Sequence, residues 1–135
     1  MDFSEKIKIG LKNEKEETVS EANSAFSLGS GGLAVYGTPA MIALMEGAAL
    51  SAVDPLLPEA FSTVGTEVNV RHLSATPLGM KVIAKAELLS IEGRALSFKV
   101  EALDEAGIIG EGTHSRFIIE NEKFLGKVMN KVGKS

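Results

Sequence analysis

The chain contains no cysteine. Disulfides, thiolate metal sites and a cysteine nucleophile are therefore excluded, and the composition fits a reducing compartment. Basic charge is not in excess. Fourteen Lys and Arg stand against eighteen Asp and Glu, a formal net charge of −4, which is the opposite of the balance a duplex binder carries, so nucleic acid is not an expected partner. The first fifteen residues mix four lysines with Asp2, Glu5 and Glu14 and hold no apolar run of the secretory kind. The longest apolar stretch, 39–53, is about fifteen residues and is interrupted by Glu46, too short to span a bilayer. There is no Walker loop, no G-x-S-x-G elbow, no internal repeat and no linker rich in proline and serine. Two histidines without companions give no metal-ligand spacing, so neither a metal nor a cofactor is expected. These absences predict a cytoplasmic protein of one domain over 1–135, without membrane association.

Local pattern then sets the order of elements. Residues 1–13 read as a variable lead-in and Lys15 to Phe26 as an edge strand. Residues 27–33 carry three glycines in seven residues, a flexible loop or lid by composition. Thr38-Pro39 is a strong helix start, with threonine as N-cap and proline at the first helical position. The helix that follows is apolar on every face, which predicts burial all round, and it stops at Asp54-Pro55. After Pro58 the period becomes two. Val64, Thr66, Val68 and Val70 are expected on one face of a first strand; Val82, Ala84, Ala86 and Leu88 share a face of the next; Leu96, Phe98, Val100 and Ala102 follow; and 108–119 forms the last. Short turns at Glu92-Gly93 and at 104–107 make these strands an antiparallel meander. The tail, 120–135, has Phe124, Val128 and Val132 at spacing four and Lys123, Lys127 and Lys131 one position earlier, an amphipathic helix expected to lie back on the body. The class is α+β, an antiparallel sheet wrapped around one long apolar central helix. Such a sheet leaves free edges and an apolar flank, which predicts a homodimer or a larger assembly.

Four residues stand out chemically. Glu46 is the one charge between Pro39 and Val53; a carboxylate in an apolar layer is costly unless paired, and such groups concentrate at functional sites, though a solvent gap would also accommodate it. Thr38 lies eight residues earlier, within about 80° on the same helix. It serves as a plain cap, or it places a hydroxyl beside free N–H groups where a developing oxyanion is stabilised. His72 ends the strand after the helix, and His114 lies inside the last strand on the face of Gly110, Gly112 and Arg116. Either is a candidate general acid or base, or a structural histidine.

The stretches Ala34-Val35-Tyr36-Gly37-Thr38-Pro39-Ala40-Met41, Glu46-Gly47-Ala48-Ala49 and Val64 to Leu73, followed by Ala75-Thr76-Pro77-Leu78-Gly79, resemble the fluoroacetyl-CoA thioesterase family, over most of the chain from about Thr18 onward. The spacing of Thr38, Glu46 and His72 agrees with that family's catalytic threonine, glutamate and histidine. The resemblance implies the hot-dog fold and hydrolysis of an acyl-CoA thioester by a homodimer, with sites near the subunit boundary. It implies Glu46 as nucleophile or general base, His72 for the attacking water or the leaving thiolate, and Thr38 to orient Glu46 or hold the carbonyl. Gly65, Tyr36 and Arg116 would contact substrate, Gly65 by close backbone approach to the carbonyl and Arg116 toward CoA or in a structural pair. The loop before the helix departs from the fluoroacetyl-specific pattern: where that carries aromatic gating residues, 26–33 is small apart from Phe26, Leu28 and Leu33, so a different short or medium acyl group is expected. A hot-dog dehydratase would need a histidine before the glutamate or a close Asp–His pair, and neither is present; a non-catalytic protein that binds acyl-CoA or another small ligand is the alternative.

Overall fold

The computed structural model describes residues 2–133; residue 1 of the expected lead-in and residues 134–135 of the expected tail helix lie outside the described residues. Five strands, β1 (Lys12–Thr18), β2 (Phe61–His72), β3 (Lys81–Glu92), β4 (Ala95–Asp104) and β5 (Gly107–Glu120), form one antiparallel sheet in the order β1-β3-β4-β5-β2. A sixteen-residue helix, α1 (Thr38–Val53), lies against its inner face, and α2 (Asn121–Met129) follows β5. The α+β meander expected from the alternation is present. The edge strand begins three residues earlier than its composition suggested and ends at Thr18, with a single 3-10 turn at Glu21–Asn23.

The core is the interface between α1 and the sheet. Met41, Met45, Ala48, Ala49, Ala52 and Val53 of α1 face Val82, Ala84, Ala86 and Leu88 of β3 and Leu96, Phe98, Val100 and Ala102 of β4, all buried. Each large apolar side chain so buried contributes on the order of 1.5–3 kcal/mol, and the alanines let helix and sheet approach closely. At Gly110 the approach is closest: a Cβ there would stand 2.5 Å from the Met41 sulfur and 3.0 Å from Arg71 O, so a side chain would have to push the Met41 side chain aside and crowd the β2 backbone. Phe3 and Ile7 also join this core, Phe3 packing edge-on against Phe61 with ring centroids 5.5 Å apart.

Four expectations change. First, α1 is not buried all round. Ala43 is exposed, Leu50 retains 39% of its surface, and Ile42 and Glu46 are half-buried, because the sheet covers one side of the helix only. Second, Val64 does not share a face with Val68 and Val70. The register slips between Gly65 and Glu67, so Val64 opposes the outward Phe117 while Val68 opposes the inward His114. One bulged residue inverts the alternation, which no count of period two detects. Third, the glycine-rich loop is tied down by its own backbone: Ala25 N–H donates to Val35 O (2.7 Å), Phe26 N–H to Leu33 O (3.1 Å) and Ser30 N–H to Ala25 O (2.9 Å). Gly29, at φ +72°, supplies the left-handed residue that this closure needs. Fourth, α2 does not lie back on the body. It is anchored at its first residue, where Asn121 N–H donates to Ala60 O and the Ser62 hydroxyl to Asn121 Oδ1, and none of its residues is buried. Spacing four marks an apolar stripe but does not say what covers it. No helix among the described residues is long and apolar enough to cross a membrane.

Candidate active site

The six residues singled out by sequence fall into two groups, one at the start of α1 and one at its middle. The first contains Thr38, His72 and Tyr36. The N-cap of α1 is Gly37, so Thr38 occupies the first turn, and its hydroxyl makes no capping bond. Instead Thr38 Oγ1 and His72 Nδ1 are hydrogen-bonded at 2.7 Å. The expected capping role is thereby replaced by a partner from β2. His72 is half-buried, and its Nε2 is inaccessible and has no hydrogen-bond partner among the described residues. Burial holds its pKa below the ordinary imidazole value, with the Ser74 backbone opposing. The pair opens onto a hollow of about 290 Å³ lined also by Ala25, Ser30, Leu73 and Ala75. Tyr36 also lines it, but its hydroxyl donates to Glu17 Oε2 on β1 (2.5 Å), and burial, with that carboxylate, raises the phenol above its usual range.

The second group contains Glu46, Gly65 and Arg116. Glu46 projects from α1 toward the bulge of β2. A Cβ on Gly65 would stand 2.9 Å from Glu46 Oε2, 3.3 Å from His114 Cε1 and 3.5 Å from an Arg116 terminal nitrogen. Glycine at 65 is therefore what admits a carboxylate, an imidazole and a guanidinium to one point, beside the extra residue Thr66 of the bulge. Beneath this point lies a buried network. Asp54, just past the end of α1, accepts Thr63 N–H (3.1 Å) and the Thr63 hydroxyl (2.6 Å). Arg116 donates from Nε to Thr63 Oγ1 (2.8 Å) and from a terminal nitrogen to Thr63 O (3.0 Å). Its other terminal nitrogen bonds His114 Nε2 (3.1 Å), and His114 Nδ1 bonds Glu67 O (2.8 Å). A carbonyl can only accept, so Nδ1 carries the hydrogen and Nε2 accepts from Arg116. Burial lowers the pKa of His114, reinforced by Arg116 and opposed by the Glu67 carbonyl and Glu46. Burial likewise lowers that of Arg116, against Asp54 and Glu46.

Sequence reasoning passed over Asp54, Thr63 and His114 as members of one network. Asp54 was visible only as part of a helix stop, and Thr63 carries no signal at all until the register pairs it with Ile118, two residue pairs from Arg116. Glu46 forms no ion pair among the described residues. Within one chain it does not reach Thr38: eight helical residues separate them by about 12 Å along the axis. A larger hollow, of about 480 Å³, lies on the outer face of β1, β3 and β4. It is lined by lysines and glutamates set opposite one another across the strands (Lys85 with Glu101, Glu87 with Lys99), the pattern of a solvated face. Among the described residues no group of three or more metal-ligating side chains gathers.

The comparisons agree with this architecture. The family model of the fluoroacetyl-CoA-specific thioesterase matches residues 19–122. The fluoroacetyl-CoA thioesterase of Streptantibioticus cattleyicolor is 45% identical over 97 residues, covering 72% of this chain and 70% of that protein. A solved structure of the fluoroacetyl-CoA thioesterase FlK superposes with a TM-score of 0.87 at 36% identity, covering 93% of this chain and 97% of its own. A hot-dog-like protein from Thermanaerovibrio acidaminovorans, 23% identical, matches in fold over the whole of both chains with a TM-score of 0.91. The chain thus belongs to the fluoroacetyl-CoA-specific thioesterase family, a thioester hydrolase built on the hot-dog fold.

Proposed function

We propose that the protein hydrolyses a short or medium acyl-CoA to the free acid and CoA, with Glu46, Thr38 and His72 as its catalytic residues. The observation that carries this reading is the Thr38–His72 hydrogen bond at the N-terminus of α1, with His72 Nε2 left without a partner. In this proposal the Thr38 hydroxyl donates to Nδ1, which leaves the hydrogen of the neutral ring on Nε2, where it hydrogen-bonds the departing CoA sulfur as the C–S bond lengthens. The carboxylate of Glu46 takes the proton of a water that attacks the thioester carbonyl, or attacks the carbonyl itself to give an acyl–Glu46 anhydride that a water then hydrolyses. The carbonyl carbon gains an oxygen, the C–S bond breaks, and the thiolate takes up the proton that the water gave to Glu46. The N-terminal dipole of α1 and the backbone at Gly65 face the developing oxyanion.

In the same proposal the site is shared between two subunits of a homodimer. Its support is the length of helix between Thr38 and Glu46, the free edge of β2, and the uncovered flank of α1 formed by Ile42, Ala43, Glu46 and Leu50. A twofold pairing of β2 edges would close that flank and bring the Glu46 of one subunit toward the Thr38 of the other. Gly65 approaches the substrate through its backbone, Tyr36 lines the hollow, and Arg116 supplies positive charge beneath Glu46. The acyl range is read from the loop 26–33, which is small where it lines the hollow at Ser30 and whose large side chains Phe26, Leu28 and Leu33 are exposed. Free-CoA release measured over acyl-CoA substrates from two to ten or so carbons tests this. Turnover on several short and medium substrates is the expected result; absence of turnover on all of them, or retention of wild-type rates by Glu46→Ala and His72→Ala, would reject it.

A further inference from the structure

Thr38 and His72 stand 34 residues apart in sequence, and nothing in α1 or β2 alone sets the distance between them. The loop that follows His72 does. Leu73 and Ser74 both direct their N–H groups at Ile109 O, at 2.6 and 3.3 Å, which fixes the end of β2. Two residues on, Thr76 is completely buried. Its carbonyl accepts Tyr36 N–H at 2.8 Å, two residues before Thr38, and the next residue, Pro77, bridges Val35. The Thr76 hydroxyl in turn donates to Asp104 Oδ2 at 2.8 Å, and Asp104 Oδ1 accepts Ala106 N–H at 2.8 Å within the β4–β5 turn.

We infer that Asp104 and Thr76 are positioning residues for the Thr38–His72 pair. They form a strut from the β4–β5 turn to the segment that delivers Thr38. A buried hydroxyl needs a partner, and here the partner is a half-buried carboxylate at the periphery of the sheet, remote from the reacting atoms. Asp104 pins Thr76, Thr76 pins Tyr36, and Tyr36 carries Thr38 into reach of His72 Nδ1. Without the hydroxyl–carboxylate bond the loop is held by backbone contacts alone, and a misplacement of about 1 Å at a reacting pair is enough to cost on the order of a hundredfold in rate. The inference rests on the reading of Thr38 and His72 as catalytic.

The test uses Thr76→Val, Thr76→Ser, Asp104→Ala, His72→Ala and, as a control at the far end of β2, Ser62→Ala, which removes the side-chain bond to Asn121. Thr76→Val and Asp104→Ala are expected to lower kcat by about tenfold or more with KM changed by less than about threefold, while Thr76→Ser and Ser62→Ala retain wild-type turnover. Because the chain has two histidines, imidazole resonances provide a readout that simple loss of stability would not reproduce: the His72 signals and their pH titration shift in Thr76→Val, and those of His114 stay in place. If Thr76→Val does not fold, Asp104→Ala, at a turn, carries the same readouts. Wild-type kcat in the folded strut variants, or equal displacement of both histidines, overturns the strut. A dead His72→Ala beside an active Thr76→Val sinks the strut alone, whereas an active His72→Ala sinks the catalytic reading with it.

Discussion

The two polar clusters along α1 differ in how completely their groups are satisfied. Around Gly65 the polar side chains beneath Glu46 are engaged: Arg116 donates to both oxygens of Thr63 and to His114, His114 passes a hydrogen to the Glu67 carbonyl, and Asp54 takes the Thr63 hydroxyl. Around Thr38 the Thr38–His72 pair shares one hydrogen bond, the Tyr36 hydroxyl is spent on Glu17, and a buried ring nitrogen is left over. A saturated network rigidifies a backbone, here a bulge and the glycine against which a carboxylate rests. In the proposed reaction the unsatisfied ring nitrogen, buried in the single chain, is the position a bound substrate would have to reach. Under the proposed function the first cluster is scaffold for a single free carboxylate, and the second is chemistry held in place by scaffold elsewhere. Neither is sufficient alone, and they lie too far apart on one chain to act on one carbonyl.

The contrast can be broken in several ways. The largest effect is expected from Glu46→Gln, which keeps shape and removes the charge; single-turnover rates should fall by about a thousandfold, and His72→Ala should cost about a hundredfold, the range of a lost acid–base group. Fluorescence of a thiol reagent on released CoA follows both. Next, co-expressed Thr38→Ala and Glu46→Ala chains separate one-subunit from two-subunit sites. If each site takes Thr38 from one chain and Glu46 from the other, the mixed dimer holds one intact site and recovers about half the wild-type rate; if both come from one chain, purified mixed dimer stays as inactive as either parent. The scaffold cluster should respond in stability rather than rate constants alone. Arg116→Met leaves Thr63 O and His114 Nε2 unpaired in the interior and should cost about 2–4 kcal/mol in chemical denaturation; a loss below about 1 kcal/mol would show that the network is not what holds the bulge.

The smallest expected effect is on pH. Both histidines have folded-state pKa values below the ordinary imidazole value. In such a case the unfolded chain binds more protons than the folded one in the window between the two values, so stability rises with pH there. Thermal midpoints should be level above about pH 6.5 and fall as the pH drops below it. His114→Gln should flatten part of that slope while leaving the catalytic reading intact. A midpoint that is constant from pH 7 down to pH 5 would argue against neutral buried rings at both clusters.

Much of this molecule was legible in its residues. The helix from Thr38 to Val53 announced itself through Thr-Pro at one end and Asp-Pro at the other, and β3 and β4 through strict alternation between a wet and a dry face. These are local effects: a proline acts on its own turn, and a side-chain period of two is a property of one strand. The polar candidates were legible as types, since a lone glutamate in an apolar helix and a histidine at a strand end are unusual wherever the chain folds. The resemblance to a known family added their joint spacing.

What the sequence determined by itself is therefore the class of fold, the identity of α1 and of the meander, and the short list Thr38, Glu46 and His72. The tertiary structure alone decided which of these touch. It released Thr38 from the cap by making Gly37 the N-cap and setting His72 opposite. It inverted β2 at Thr66 and so assembled Thr63, His114 and Arg116 beneath Glu46. It also left α2 standing off the body and one flank of α1 bare. The reason is physical: capping, alternation and amphipathic spacing are governed by neighbours a few residues away, whereas a bulge, a cross-strand hydrogen bond and an uncovered face depend on which distant segment arrives there.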